Sequence, residues 1–209
     1  MEITEIRRTK RGRISVYIDG AFACVLHPEV YAVADIGVGR QVEPEALDEA
    51  LRASRDKFAR EYALNLLAQR SYTAKSLRDK LTAKVEDEEI ADTVVARMEE
   101  LGLIDDADYA RRFAADCLNR RGFSLPRTAR ALREKGIDRE IIDETLSRIE
   151  YDPQPAIAQI VRRKYLRYLE DEKGVRNTIA ALQRLGYRFD DIRAVLQNLA
   201  EDENYYDYE

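Results

Sequence analysis

Histidine occurs once in the 209 residues, cysteine twice and tryptophan not at all. That count excludes a zinc site built from several Cys and His ligands. Cys24 and Cys117, far apart and in no Cys-x-x-Cys pair, read as reduced core thiols rather than a disulfide framework. No stretch approaches the roughly 18 apolar residues that a membrane span requires. The opening MEITEIRRTK lacks the apolar run of an export signal, so a cytoplasmic location is the expectation. Charge of one sign is also missing, since 35 Lys and Arg face 40 Asp and Glu for a net charge of -5. What is abundant is charge itself, at 36%, against roughly 25% in an average globular chain. With 45% hydrophobic residues as well, the chain is too apolar to be disordered and reads as a helical protein with well-solvated surfaces.

The first forty residues are the exception. Arg13-Ile-Ser-Val-Tyr-Ile18 and Ala21-Phe-Ala-Cys-Val-Leu26 flank Asp19-Gly20, a pair suited to the positive φ angles of a two-residue type I′ turn, which predicts a β-hairpin. Facing residues would then sum to 39, which places Ala21, Ala23 and Val25 on the buried face with Ile14, Val16 and Ile18. Ile3 to Arg8 is a candidate third strand. Pro28 suits the first turn of a short helix ending near Asp35 and Gly37-Val-Gly39, and Pro44 starts another helix.

From residue 44 onward the apolar spacing is helical, as in Leu47, Ala50, Leu51, Ser54 and Phe58. A shift of about 51 residues then superposes Phe58 on Tyr109, Ala59 on Ala110, Tyr62 on Phe113, Ala63 on Ala114 and Arg70 on Arg121. Downstream, Thr73 falls on Ser124, Leu81 on Leu132, Asp87 on Asp138 and Ile90 on Ile141, so helix caps and core positions repeat together. A looser third copy has Gly174 at the cap position, Leu182 opposite Leu132, and a last stripe of Ile192, Val195, Leu196 and Leu199. The expected architecture is mainly α, an elongated solenoid of tandem three-helix repeats behind a small β-hairpin module. Its expected divisions are 1–43 (hairpin and short helix), 44–106 (repeat one with a lead-in helix), 107–151 (repeat two), 152–200 (repeat three) and 201–209, an acidic tail expected to fray.

Few residues offer catalytic chemistry. His27 stands alone before Pro28 and reads as a local structural group, and Gly37-Val-Gly39 lacks both the third glycine and the βαβ setting of a dinucleotide loop. Asp105, Asp106 and Asp108 open a helix, where carboxylates cap free amides. The stronger feature is local charge. Between 111 and 139, Arg111, Arg112, Arg120, Arg121, Arg127, Arg130, Arg133, Lys135 and Arg139 outnumber Asp116, Glu134 and Asp138, and Arg162, Arg163, Lys164 and Arg167 form a second cluster. Arg127, Arg130 and Arg133, spaced by three, are expected on one helix face. Such residues fit either a nucleoprotein or phosphate contact or simply solvated faces paired with acids.

The segments Tyr62-Ala-Leu-Asn-Leu-Leu-Ala-Gln-Arg70, Ser76-Leu-Arg-Asp-Lys-Leu81, Leu101-Gly-Leu-Ile-Asp-Asp106 and Leu132-Arg-Glu-Lys-Gly-Ile137 together resemble the RecX regulatory proteins. The resemblance is strong over 58–150 and weak over 151–199. Ala74 and Lys75 depart from it, standing where the family commonly has an acidic residue. The resemblance implies a non-enzymatic negative modulator of the RecA recombinase. Such a protein binds the RecA–DNA filament in its groove and lowers its extension, ATPase, strand exchange and co-protease activity in DNA repair, recombination and the SOS response. It implies no cofactor, no metal and no membrane partner, contact with single- or double-stranded DNA, and action as a monomer. The candidate RecA or DNA contacts are Arg70, Arg78, Arg120, Arg121, Arg127, Arg130, Arg133, Lys135, Arg162, Arg163, Lys164 and Arg167. The alternative is a stand-alone nucleic-acid-binding module of helix-turn-helix type.

Overall fold

In the computed structural model, residues 1–206 are described, with side chains described to Leu199. The chain divides into two compact units, Met1–Ile104 and Asp105–Glu209.

The first unit begins with an antiparallel sheet of β1 (Ile3–Arg8), β2 (Ile14–Ile18) and β3 (Ala21–Leu26), in that order. Asp19 and Gly20 turn the hairpin at φ 50° and 86°, both positive as a type I′ turn demands. The predicted register holds only beside the turn, where Ile18 faces Ala21 and Tyr17 faces Phe22. Beyond it Val16 pairs with Cys24 and Ile14 with Leu26, so Ala23 is the extra residue of a bulge. The bulge corrects the expected face. Cys24 and Leu26 point inward with Ile14 and Val16, while Ala21 and Ala23 are exposed. Leu26 and Cys24 thereby enter the core in place of two alanines and Val25, and the gain is chiefly the full burial of the leucine.

Helix α1 (Pro28–Val33) is capped by His27, whose Nδ1 accepts the Glu29 N–H at 3.2 Å. The buried ring also places Nε2 3.0 Å from Glu61 Oε1, its edge meets Phe58 at 5.1 Å, and its backbone N–H donates to Ser54 Oγ at 2.9 Å. Since Nδ1 accepts, the proton sits on Nε2 and faces the carboxylate. His27 thus ties the sheet module to the next helix. The variant His27→Ala is expected to cost about 2 kcal/mol of stability in urea unfolding, and His27→Asn, whose amide oxygen takes over the capping role of Nδ1, to recover about half of it.

The helix it touches, α2 (Pro44–Leu67), is a single rod of 24 residues rather than a lead-in followed by a separate repeat helix. Its first half buries Leu47 and Ala50 against the sheet. Its second half buries Ala59, Ala63 and Leu66 against α3 (Ala74–Val85) and α4 (Glu88–Glu100). Thr73 caps α3 through the Ser76 N–H, and Asp87 caps α4 through the Ile90 N–H. Leu77, Leu81, Val94 and Met98 complete that core.

The second unit holds two further three-helix sets: α5 (Asp106–Asn119), α6 (Leu125–Glu134) and α7 (Arg139–Ser147), then α8 (Pro153–Lys164), α9 (Glu172–Arg184) and α10 (Phe189–Tyr206). Ala110, Ala114 and Leu132 are fully buried, as are their counterparts Ala59, Ala63 and Leu81. Asp105 caps α5 by accepting the Asp108 N–H at 2.7 Å, and Ser124 caps α6. Repeat two departs from repeat one at α7. There Asp138 makes no side-chain cap bond, and Ile141 is half-buried where its counterpart Ile90 is buried, whereas Ile142 is buried like its counterpart Ala91.

In the third set the cap is Asp171, not Gly174. The Asp171 Oδ1 accepts the Gly174 N–H at 2.6 Å, so α9 starts almost a turn earlier than its counterpart α6. A Cβ on Gly174 would collide with the Tyr168 carbonyl, which is why that turn takes glycine. Helix α10 continues to Tyr206, past the point where the tail was expected to fray, and Asp207 to Glu209 lie outside the described residues. Among the described residues no helix is long and apolar enough to cross a membrane.

Candidate interaction surface

The predicted contact residues fall into separate places. Arg70 follows α2 and lies 4.5 Å over the ring of buried Tyr72. On α3, Arg78 is held by Asp92 and by Glu88 on α4, at 3.1 Å from each through Nη2, and this pairing keeps the Asp92 carboxyl below the usual carboxylate range. An arginine committed to two acids offers little to a phosphate. Arg120 and Arg121 share Asp116, at 3.4 and 2.7 Å, and Arg121 also covers the Phe113 ring.

Helix α6 does not present its three arginines alike. Arg127 turns toward repeat three, where its guanidinium donates to the Arg184 carbonyl and stacks 4.3 Å from the Phe123 ring centroid. Alongside it the Ser124 N–H donates to the Leu185 carbonyl at 2.9 Å. Donors at the start of α6 therefore satisfy carbonyls that the end of α9 leaves open. Arg130 pairs with Glu134 at 3.1 Å and, with Arg127, lines a cleft of about 710 Å³ that also takes in Lys135 and Arg184. Arg133 is exposed, lies off that cleft, and has no acidic partner among the described residues. The shared face expected of the three therefore holds for Arg127 and Arg130 only. A step of three residues turns the helix by about 300°, and two such steps carry Arg133 away.

The second cluster gathers in one place. Arg162, Arg163 and Lys164 end α8, where cations meet the negative end of the helix dipole, and Arg167 sits in the 3-10 turn Leu166–Tyr168. Together they border a groove of about 1120 Å³ that also receives Arg193 from α10. Sequence reasoning missed Arg184 and Arg193, which lie alone in their helices and join the basic sets only through packing. Cys24 and Cys117 are buried free thiols whose burial pushes their pKa up, which makes them inert packing groups.

The fold and this surface define a tandem three-helix-repeat protein whose cations lie along helix faces and helix ends. Models of the first and second RecX three-helix domains match residues 59–98 and 105–146. The chain is 28% identical over 208 residues to the regulatory protein RecX of Clostridium botulinum strain Eklund 17B, covering 96% of each chain. It is 27% identical to that of Clostridioides difficile strain 630, covering 97% of this chain and 98% of the other. A crystal structure of regulatory protein RecX shares the fold with a TM-score of 0.64 at 20% identity, over 94% of this chain and 98% of that one. RecX from Lactobacillus salivarius does so with a TM-score of 0.60 at 23% identity, over 71% of this chain and 98% of that one. The chain therefore carries both RecX three-helix domains and is similar over nearly its whole length to regulatory proteins named RecX.

Proposed function

We propose that the chain is a negative modulator of RecA that binds the RecA–DNA filament in the cytoplasm. In this reading it limits filament extension and lowers the filament's ATPase, recombinase and co-protease activities, with basic residues of repeats two and three meeting the recombinase and its DNA. Similarity to the RecX proteins supports the partner. The observation that carries the contact surface is the excess of cation over acid along α6 and at the end of α8, where Arg133, Arg163 and Lys164 have no acidic partner among the described residues. Local charge of this kind steers association with a polyanionic filament even when the whole chain is acidic.

The test is RecA's DNA-dependent ATP hydrolysis with the chain added below one copy per RecA. Inhibition is expected at that ratio. The double variant Arg130→Glu/Arg133→Glu, which leaves Arg127 in the joint between repeats, is expected to require about tenfold more protein for the same inhibition. Unchanged inhibition by a folded double variant would remove α6 from the contact face. Tight binding to bare DNA with a steep salt dependence, and no effect on RecA, would favour the stand-alone nucleic-acid-binding module instead.

A further inference from the structure

The groove of repeat three is built from two chemically distinct parts. Its floor is aliphatic, made by Leu166 of the 3-10 turn and Leu169 just after it, Val175 and Ile179 of α9, and Leu196 of α10. Leu166 is exposed and the other four are half-buried, so the floor is reachable from solvent. The border is cationic: Arg163, Lys164 and Arg167 come from the end of α8 and the 3-10 turn and Arg193 from α10, all exposed, and Glu170 is the one acid on the lining among the described residues. A solvated helix end explains cations at the last turn of α8. It does not explain an open aliphatic floor beside them and a fourth cation from α10, because apolar surface left in water is a standing cost.

We propose that this groove docks an acidic amphipathic segment of a partner protein, whose aliphatic side chains settle on the floor while its carboxylates meet the border. Three features select that occupant. The border and the segment are complementary in charge, which both steers the encounter and sets its orientation. The groove is open to solvent and lined by α8, the 3-10 turn, α9 and α10, which suits a helix laid between packed helices. Among the described residues the lining carries no aromatic ring, whereas single-stranded nucleic acid is held by stacking its bases on aromatic faces. The exposed Tyr168 ring lies outside the lining and is engaged by Arg167, whose Nη2 donates to its hydroxyl at 2.7 Å. The assignment does not require RecA to be the source of the segment.

Fluorescence anisotropy with the full chain tests it. The probe is a labelled synthetic peptide rich in Glu, with leucines at i, i+4 and i+7. The controls are a scrambled peptide of identical composition, a thymidine oligonucleotide of matching charge, and the chain's own 200–209 peptide added in trans. The amphipathic peptide is expected to bind and to lose at least about tenfold in affinity on scrambling. It is expected to lose as much again in the variant Arg163→Glu/Lys164→Glu, whose exposed positions leave the fold intact by circular dichroism. Equal binding of the scrambled peptide would reduce the effect to bulk charge and overturn the proposal. So would tighter, competing binding of the oligonucleotide, which would make the groove a nucleic-acid site, or of the 200–209 peptide, which would make its occupant internal. Because no arm contains RecA, failure here leaves the recombinase reading to its own assay.

Discussion

Replacing Gly186 with alanine is expected to destabilise the Asp105–Glu209 unit by about 2–4 kcal/mol, whereas the same exchange at Gly102 is expected to cost about 1 kcal/mol in its own unit. Both residues have positive φ, +91° and +67°, so both exchanges carry the backbone penalty of a left-handed residue. They differ in surroundings. A Cβ at Gly102 meets nothing within 4 Å, but at Gly186 it would lie 2.4 Å from Ser124 Oγ and 2.7 Å from Arg127 Cβ. Ser124 is the cap of α6 and Arg127 its link to the Arg184 carbonyl, so relief of the clash sacrifices the bonds that join repeats two and three. Urea unfolding of both variants separates the two contributions. Equal losses would show that repeat three can shift away from α6 at no cost.

Leu182→Ala is expected to cost about 2–5 kcal/mol, the range for a fully buried leucine, and to do so locally. Leu182 lies in the core of α8, α9 and α10 with Ile157, Val161 and Ile192, a cluster separate from the one around Leu132. When each module is packed around its own core, a loss in one need not propagate to the others. Amide hydrogen exchange should therefore accelerate in α8 to α10 and remain unchanged in the sheet and α2 to α4. Uniform acceleration would mean that the chain opens as one cooperative unit. Leu81→Ala and Leu132→Ala, at equivalent positions, should reproduce the size of the effect in the other repeats.

Much of this was legible beforehand where a local rule decides the outcome. Asp19-Gly20 declared the turn, Thr73 and Ser124 declared their helix starts, and the alanine pairs marked the tight helix contacts of two repeats. The bulge at Ala23 was not legible, because register away from the turn depends on which side chains fill the space beneath the sheet. The start of α9 was missed for a related reason. A gapless shift cannot represent the added turn, and Asp171 looks like any acidic residue until the Gly174 N–H is seen to face it. Within the candidate surface, composition revealed the surplus of arginine but not its division. Arg78 and Arg127 are spent on internal partners, Asp92 with Glu88 and a carbonyl 57 positions away, while Arg133 remains open on α6 among the described residues. Only coordinates sort residues that share one side-chain chemistry.

The continuity of α2 has a geometric consequence for any attempt to regraft the N-terminal module. Because one rod serves both the sheet core and the first repeat, its sequence acts as a phase dial between them. One residue added within 55–58 would turn the sheet module by about 100° and carry it about 1.5 Å farther along the axis. Seven would bring it back to within about 20° of its original bearing. Chimeras that keep the module's orientation should thus be spliced at whole-heptad offsets, and offsets of two or five residues should turn the module away from the repeat and break the His27 contacts with Phe58 and Glu61.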